Sequence, residues 1–234
     1  MDAAAGPASW PVMRHALVPL LALLISACSA SGPPRADGML AIGDSVMAWN
    51  GEAGIPEVTA RALGLPVRDA AASGAALVQG SAGRAALGLD IRAQWAANRG
   101  RWAWVLVDGG ANDLRPACGT AAAPAALDRI IGPRGGGALP ALLADIRATG
   151  SRAAVVGYYD GLAGAATGFT PCQPLFDEMN RRLARLAARD PGLAFLDAGD
   201  VIDPTVRGHY ARDRVHPSAE GSRRIGTALA ARMR

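Results

Sequence analysis

The sequence predicts a single α/β domain, a three-layer α/β/α sandwich around a five-stranded parallel sheet. Three observations carry this. Short apolar runs alternate with helical segments from residue 38 onward, the pattern of successive βα units. The run Trp102 to Val107 is apolar throughout, as a central parallel strand buried on both faces should be. The chain has 234 residues, half of them hydrophobic, enough for one well-buried domain but not for two.

The elements follow in order. Met39 to Ile42 is a short apolar run closed by Gly43-Asp44-Ser45, a buried strand meeting a turn. Val46 to Gly51 reads as an apolar loop, with Trp49 either lining a cleft or packed. Ile55 to Leu63 is a helix, with Pro56 in its first turn and Gly64 just past its end. Leu65 to Arg68 is a second strand, running into a small-residue loop from Asp69 to Ala75. Leu89 to Asn98 is an amphipathic helix with Ile91 and Trp95 one turn apart. Trp102 to Val107 ends in a second Gly-rich turn, Asp108 to Asp113. Leu114 to Gly137 is rich in Pro, Gly and Ala, with a helical turn at Leu127 to Ile131. Leu139 to Thr149 is a helix, Arg152 to Gly157 a strand, Leu175 to Ala188 a helix ended by Pro191-Gly192, and Leu193 to Leu196 the last strand. Asp203 to Val215 is loop, and Pro217 to Met233 closes the domain as a helix.

The formal charge is +4, and every basic side chain is Arg. The arginines are scattered among acids, without a basic run interleaved with aromatics, so nucleic-acid binding is not expected. The N-terminal segment is different in kind. Met13-Arg14-His15 precedes an apolar stretch from Ala16 to Ala27 and then Cys28, the layout of a secretory signal, too short for a comfortable membrane span. Leu24-Ile25-Ser26-Ala27-Cys28 resembles a bacterial lipoprotein signal, with Met13 the expected true start. That resemblance implies residues 1–27 as a signal peptide and Cys28 as a lipidated residue. It further implies residues 28–37 as a tether, and Ser29 implies an outer-membrane lipoprotein facing the periplasm. Without lipidation the protein is expected to be periplasmic or secreted.

With Cys28 lipidated, Cys118 and Cys172 remain. An exported compartment permits them to form a disulfide, and both sit in Pro/Gly-flanked loops; two unpaired thiols are the alternative. Too few His and Cys residues are left for a zinc site.

A Ser just past a strand and before a helix can present its hydroxyl to the cleft at the carboxyl ends of the strands; Asp44 or Ser45 acting only as a helix cap is the plainer reading. Three His occur, two of them, His209 and His216, beyond the signal segment. In Asp213-Arg214-Val215-His216-Pro217 the three-residue spacing lets a carboxylate reach imidazole Nδ1, leaving Nε2 to take a proton from a hydroxyl. A serine hydroxyl needs such a base to act as a nucleophile.

Four blocks in order complete the pattern: Gly43-Asp44-Ser45, Gly74, Gly110-Ala111-Asn112-Asp113 and Asp213-Arg214-Val215-His216. Together, from Gly43 to His216, they resemble the SGNH (GDSL) hydrolase family, which implies residues 38–234 as one such domain. The resemblance implies a flavodoxin-like sheet, Ser45 as nucleophile, His216 as base and Asp213 as its partner. It also implies an oxyanion hole from the amides of Ser45 and Gly74 and the side chain of Asn112, with no metal or cofactor. Asp44 and Asp113 are expected to brace loops, and His209-Tyr210 either to line the cleft or to lie in surface loop. One departure stands out: many relatives carry an Asn shortly before the Gly of the second block, and Asp69 to Ser73 has none. The implied activity is ester hydrolysis in the cell envelope by a monomer attached to the membrane through its lipid anchor, on a small ester, a lipid or an O-acylated glycan. Acyl transfer to an acceptor other than water, and glycan or lipid binding without catalysis, are the alternatives.

Overall fold

The structure is a computed structural model that describes Met1 and residues 37–234. The expected signal segment and Cys28 lie outside the described residues. Five strands form one sheet: β1 (Met39–Ile42), β2 (Val67–Asp69), β3 (Trp104–Val107), β4 (Arg152–Val156) and β5 (Leu193–Leu196). Their order is β2-β1-β3-β4-β5, and every pairing is parallel. All residues of β1 and β3 are buried. Because successive side chains on a strand point to opposite faces, both faces of the sheet centre are covered. Ile42 pairs with Val107, and Val107 with Val155, so β1, β3 and β4 end within one residue of the same level.

The helices are α1 (Ser45–Ala48), α2 (Ile55–Leu63), α3 (Ala82–Ala86), α4 (Ile91–Ala97), α5 (Ala111–Leu114), α6 (Ala123–Ile130), α7 (Ala138–Ala148), α8 (Gln173–Ala187) and α9 (Ala219–Arg232). Helices α2 and α9 approach so closely that a Cβ at Gly226 would lie 2.8 Å from the Val58 side chain. Thr59 Oγ1 donates to the Gly226 carbonyl across the same seam at 3.2 Å.

The sheet, its parallel sense and the long helices match the sequence reading; the differences are local. β2 begins at Val67 rather than Leu65, because Gly64 ends α2 in a left-handed conformation and the Leu65 amide still bonds back to Ala60. The expected loop after Ser45 opens instead as α1, and the turn after Asp108 opens as α5. Helix α6 starts at Ala123, four residues before the expected turn, with Pro124 in its first turn. Helix α3 was not expected; it is a short Ala/Gly segment held by the Ser81 cap.

Candidate active site

The candidate site forms beyond the carboxyl ends of β1 and β3, where the strand order reverses direction from β1, the usual ligand position in an open parallel sheet. Ser45 is the first residue of α1. Asp44 caps that helix by accepting the Val46 amide at 3.0 Å, so the Ser45 hydroxyl is left free for other work.

The turn that presents Ser45 is over-determined. Gly43 has φ +154°, and a Cβ there would fall 1.6 Å from Asp108 Oδ1. The Gln94 side chain of α4 clamps both sides of Gly43, accepting its N–H at 2.8 Å and donating to its carbonyl at 3.0 Å. Asp108 Oδ1 accepts the Asp44 amide at 2.7 Å. The Tyr158 hydroxyl, from the end of β4, donates to Asp44 Oδ2 at 2.6 Å and accepts the Ala111 amide at 3.1 Å. One phenol thus ties the Ser45 turn to the Asn112 turn.

Burial, opposed by hydrogen bonds from Tyr158 and Val46, raises the Asp44 carboxyl above its ordinary range. Burial and then the negative charge of Asp44 push Asp108 well above it. Burial likewise pushes the Tyr158 phenol well up, so it stays a donor. Of the two carboxyls, Asp108 is raised further. A carboxyl raised in the folded state contributes stability that is present below its unfolded value and is lost as pH rises through its folded value. Asp108→Asn mimics the protonated form, so the variant's melting temperature is expected to gain on the wild type's as pH rises above the ordinary carboxylate value. Parallel melting curves would contradict a raised Asp108.

The partner of Ser45 comes from the loop before α9. His216 Nε2 lies 2.7 Å from Ser45 Oγ, and His216 Nδ1 lies 2.6 Å from Asp213 Oδ2. Asp213 Oδ1 accepts the backbone N–H groups of Val215 and His216, each at 3.0 Å. Burial pushes the Asp213 carboxyl up, but the His216 ring and the two amides outweigh it, and its pKa ends below the ordinary carboxylate value. The turn between them holds Arg214 at φ +65°, a conformation uncommon for a non-Gly residue. Three contacts hold it: Trp49 stacks on the His216 ring at 4.0 Å and 11°, Tyr159 donates to the Val215 carbonyl at 3.0 Å, and Asn50 donates to the Pro217 carbonyl at 3.0 Å.

Asn112, on α5, donates one Nδ2 hydrogen to the Ala75 carbonyl at 2.8 Å, and the other has no acceptor among the described residues. Gly74 stands at φ +82° in the loop after β2, which is tied alongside β1 by Ala72 donating to the Gly43 carbonyl at 3.1 Å. The loop reaches Asn112 without the Asn that many relatives carry before this Gly. Asp113 braces it, accepting the amides of Leu77, Val78 and Gln79. The amides of Ser45 and Gly74 have no acceptor among the described residues.

Beside Ser45, His216 and Asn112 opens an apolar pocket of about 40 Å³, walled by Tyr158, Phe169 and Phe176. These walls follow β4, Tyr158 and Phe169 in its loop and Phe176 in α8, and the Cys118–Cys172 disulfide ties that loop to the one after β3 with a Cα–Cα distance of 4.8 Å. His209 is buried away from this pocket. Its Nδ1 accepts the Asp203 amide at 3.1 Å, while Tyr210 donates to the Asp160 carbonyl at 2.6 Å, so both support loops. Sequence reasoning missed Gln94, Asp108 and Tyr158 as parts of the site. For Gln94 a signal existed: it lies one turn from Ile91, a polar residue on the buried face of its helix.

A sequence profile of the GDSL-like lipase/acylhydrolase family matches residues 41–224. A comparison with curated protein sequences finds no match. Among solved structures, the chain resembles a Slackia heliotrinireducens protein assigned to the SGNH hydrolases, at 24% identity and TM-score 0.57, covering 87% of this chain and 100% of the other. It resembles a Desulfitobacterium hafniense protein assigned to the G-D-S-L lipolytic family, at 15% identity and TM-score 0.59, covering 85% and 99%. The lipase Lip_vut3 from a goat rumen metagenome aligns at 17% identity and TM-score 0.58, covering 83% and 96%. At these identities the structural likenesses speak for the fold.

Proposed function

The chain belongs to the GDSL-like lipase/acylhydrolase family, serine hydrolases of ester bonds, and from that premise we propose that it is a short-acyl carboxylic esterase working through an acyl-enzyme on Ser45. The observation that carries this is the unbroken chain Ser45 Oγ–His216 Nε2–Asp213, with its two links of 2.7 and 2.6 Å. Ser45 Oγ attacks the ester carbonyl carbon as its proton passes to His216 Nε2. Asp213 holds the proton on Nδ1 and stabilises the imidazolium that results. The carbonyl oxygen, now negative, is met by the amides of Ser45 and Gly74 and the free Nδ2 hydrogen of Asn112, donors fixed in place before the reaction. His216 returns its proton to the departing alcohol. Water, deprotonated by the same Nε2, then cleaves the acyl-enzyme to give the carboxylic acid and regenerate Ser45.

The pocket sets the acyl group. The pocket is small and walled by three aromatic rings, which favours a short acyl chain. Across p-nitrophenyl esters from acetate to dodecanoate, kcat/KM is expected to peak at two to four carbons. Removing the Phe169 ring makes room for about two more methylenes, at ~0.8 kcal/mol each, so Phe169→Ala is expected to raise octanoate relative to butyrate about tenfold. Failure to cleave any ester of the series would oppose the esterase reading. A wild-type optimum at long chains would oppose the short-acyl reading alone.

The proposed address is the cell envelope, with Cys28 as a lipid anchor. The disulfide supports export, because such bonds persist in oxidising compartments. Cys28→Ala is expected to move the protein from the membrane to the soluble fraction; a variant that stays membrane-bound would contradict the anchor.

A further inference from the structure

Asn112 lines a second, open cavity of about 480 Å³, whose walls also carry Gly74, Gln79, Arg84 and Arg115. No acidic residue lines it. The nearby Asp113 carboxylate is already committed to three backbone amides. The Arg84 guanidinium is held in place by Nη2, which donates to the Gly74 carbonyl at 2.8 Å and the Leu89 carbonyl at 3.0 Å. Its Nε is buried with no acceptor. The Arg115 guanidinium lies over the Phe169 ring, 5.5 Å from its centroid. Among the described residues neither arginine pairs with a carboxylate.

We propose that this cavity binds an anionic group, a carboxylate or phosphate, carried on the alcohol half of the ester. The inference rests on the esterase reading and extends it to a substrate class: short-chain acyl esters of acidic sugars or of phosphorylated alcohols. The Arg115 guanidinium can meet the oxygens of a carboxylate or phosphate in a paired, charge-assisted geometry, while Arg84, its Nη2 committed and its Nε buried, adds its charge and Nη1, on walls without acid. The place fits as well. Gly74 and Asn112 border the cavity, and they are the groups to which the esterase reading gives the carbonyl oxygen. With the acyl chain in the small apolar pocket, the rest of the ester extends from the carbonyl, and a polar cavity next to that carbonyl receives it.

The test uses phenyl butyrates bearing a meta carboxylate, a meta phosphonate or a neutral meta carboxamide. Wild-type kcat/KM for at least one anionic ester, relative to the neutral one, is expected to fall about tenfold in Arg115→Gln and in Arg84→Gln. Working with ratios between proteins cancels the intrinsic reactivity of each ester. Arg115→Lys keeps the charge but not the planar fork and is expected to retain part of the preference, which a merely structural role for Arg115 would not produce. The ester whose ratio falls identifies carboxylate or phosphate as the group bound. A binding arm stands apart from catalysis: calorimetric titration of the Ser45→Ala protein with N-(3-carboxyphenyl)butanamide, its phosphonate analogue and its neutral carboxamide. At least one anion is expected to bind about tenfold tighter than the neutral amide and to lose that advantage in the added Arg115→Gln variant. Ratios and affinities that do not change between wild type and the Gln variants would overturn the proposal. Absence of ester cleavage with the binding preference intact would count against the esterase reading and leave the anion site standing.

Discussion

Ser45→Ala is expected to lower ester turnover by about 10⁵–10⁶-fold with no loss of fold. The fold should persist because the α1 cap is Asp44, and the only hydrogen bond of Ser45 Oγ among the described residues is the one to His216. The size of the loss follows from what goes with the hydroxyl. Without Oγ there is no acyl-enzyme, and the neutral imidazole and its orienting carboxylate have nothing to deprotonate. Groups that act as one unit are not additive: when the nucleophile is gone, the remaining machinery of an oxyanion hole and substrate binding leaves only about 10³–10⁴ over the reaction in water. His216→Ala is therefore expected to cost about as much, and the double variant no more than either single one. Rates measured with p-nitrophenyl butyrate check all three. A double variant slower than the singles by the product of their effects would mean that Ser45 and His216 do not act together.

Asp213→Asn is expected to lower kcat by about 10³-fold while KM and melting temperature change little. The amide oxygen of Asn can take over the acceptor role of Asp213 Oδ1, which holds the Val215 and His216 amides, so the turn around Arg214 should keep its shape. The other position changes sign. Asn Nδ2 donates, so His216 Nδ1 must accept, and the imidazole proton moves to Nε2, where it faces Ser45 Oγ and blocks proton transfer. A fully buried carboxylate in this role is worth about 10⁴. Asp213 is 39% exposed against 17% for His216, so water partly screens its charge, and the smaller figure applies. Because the Asp213 pKa is held below the ordinary carboxylate value, Asp213 stays ionised as the medium is acidified and the tautomer it enforces persists. Steady-state kinetics of the variant, with circular dichroism as the fold control, decide it. Near-normal kcat would take Asp213 out of the mechanism.

These residues could be read from the sequence because each carries its chemistry in its own neighbourhood. Ser45 follows an apolar strand and a Gly, and Asp213 sits three residues from His216 in a turn that opens a helix. The central strands were equally legible: Met39–Ile42 and Trp104–Val107 are buried along their whole length and so are apolar at every position. β2 was less so, because Val67–Asp69 lies at the sheet edge, half-buried or exposed, and its boundary is set by the αL cap at Gly64. Helices α3 and α5 escaped notice because a turn of four or five residues is made by its caps and its surroundings, not by periodicity. The supports of the Ser45 turn were hidden for another reason. Gln94 meets Gly43 across 51 residues of sequence, Asp108 meets Asp44 across 64, and Tyr158 meets Asp44 across 114. Their partners are backbone groups or buried carboxyls, which leave no pattern of spacing. The two-cavity arrangement around Asn112 was likewise invisible, since its walls come from segments after all five strands.

The central claim is that Ser45 is an activated nucleophile, and covalent trapping tests it most directly. The intact protein is treated with a fluorophosphonate, digested, and the modified residue is identified by mass spectrometry, with Ser45→Ala and His216→Ala alongside. The expected result is one phosphonyl group per chain on Ser45, none on the Ser45→Ala protein, and labelling slowed by orders of magnitude in His216→Ala. A folded wild-type protein that is left unlabelled, or labelled at another serine, would contradict the account.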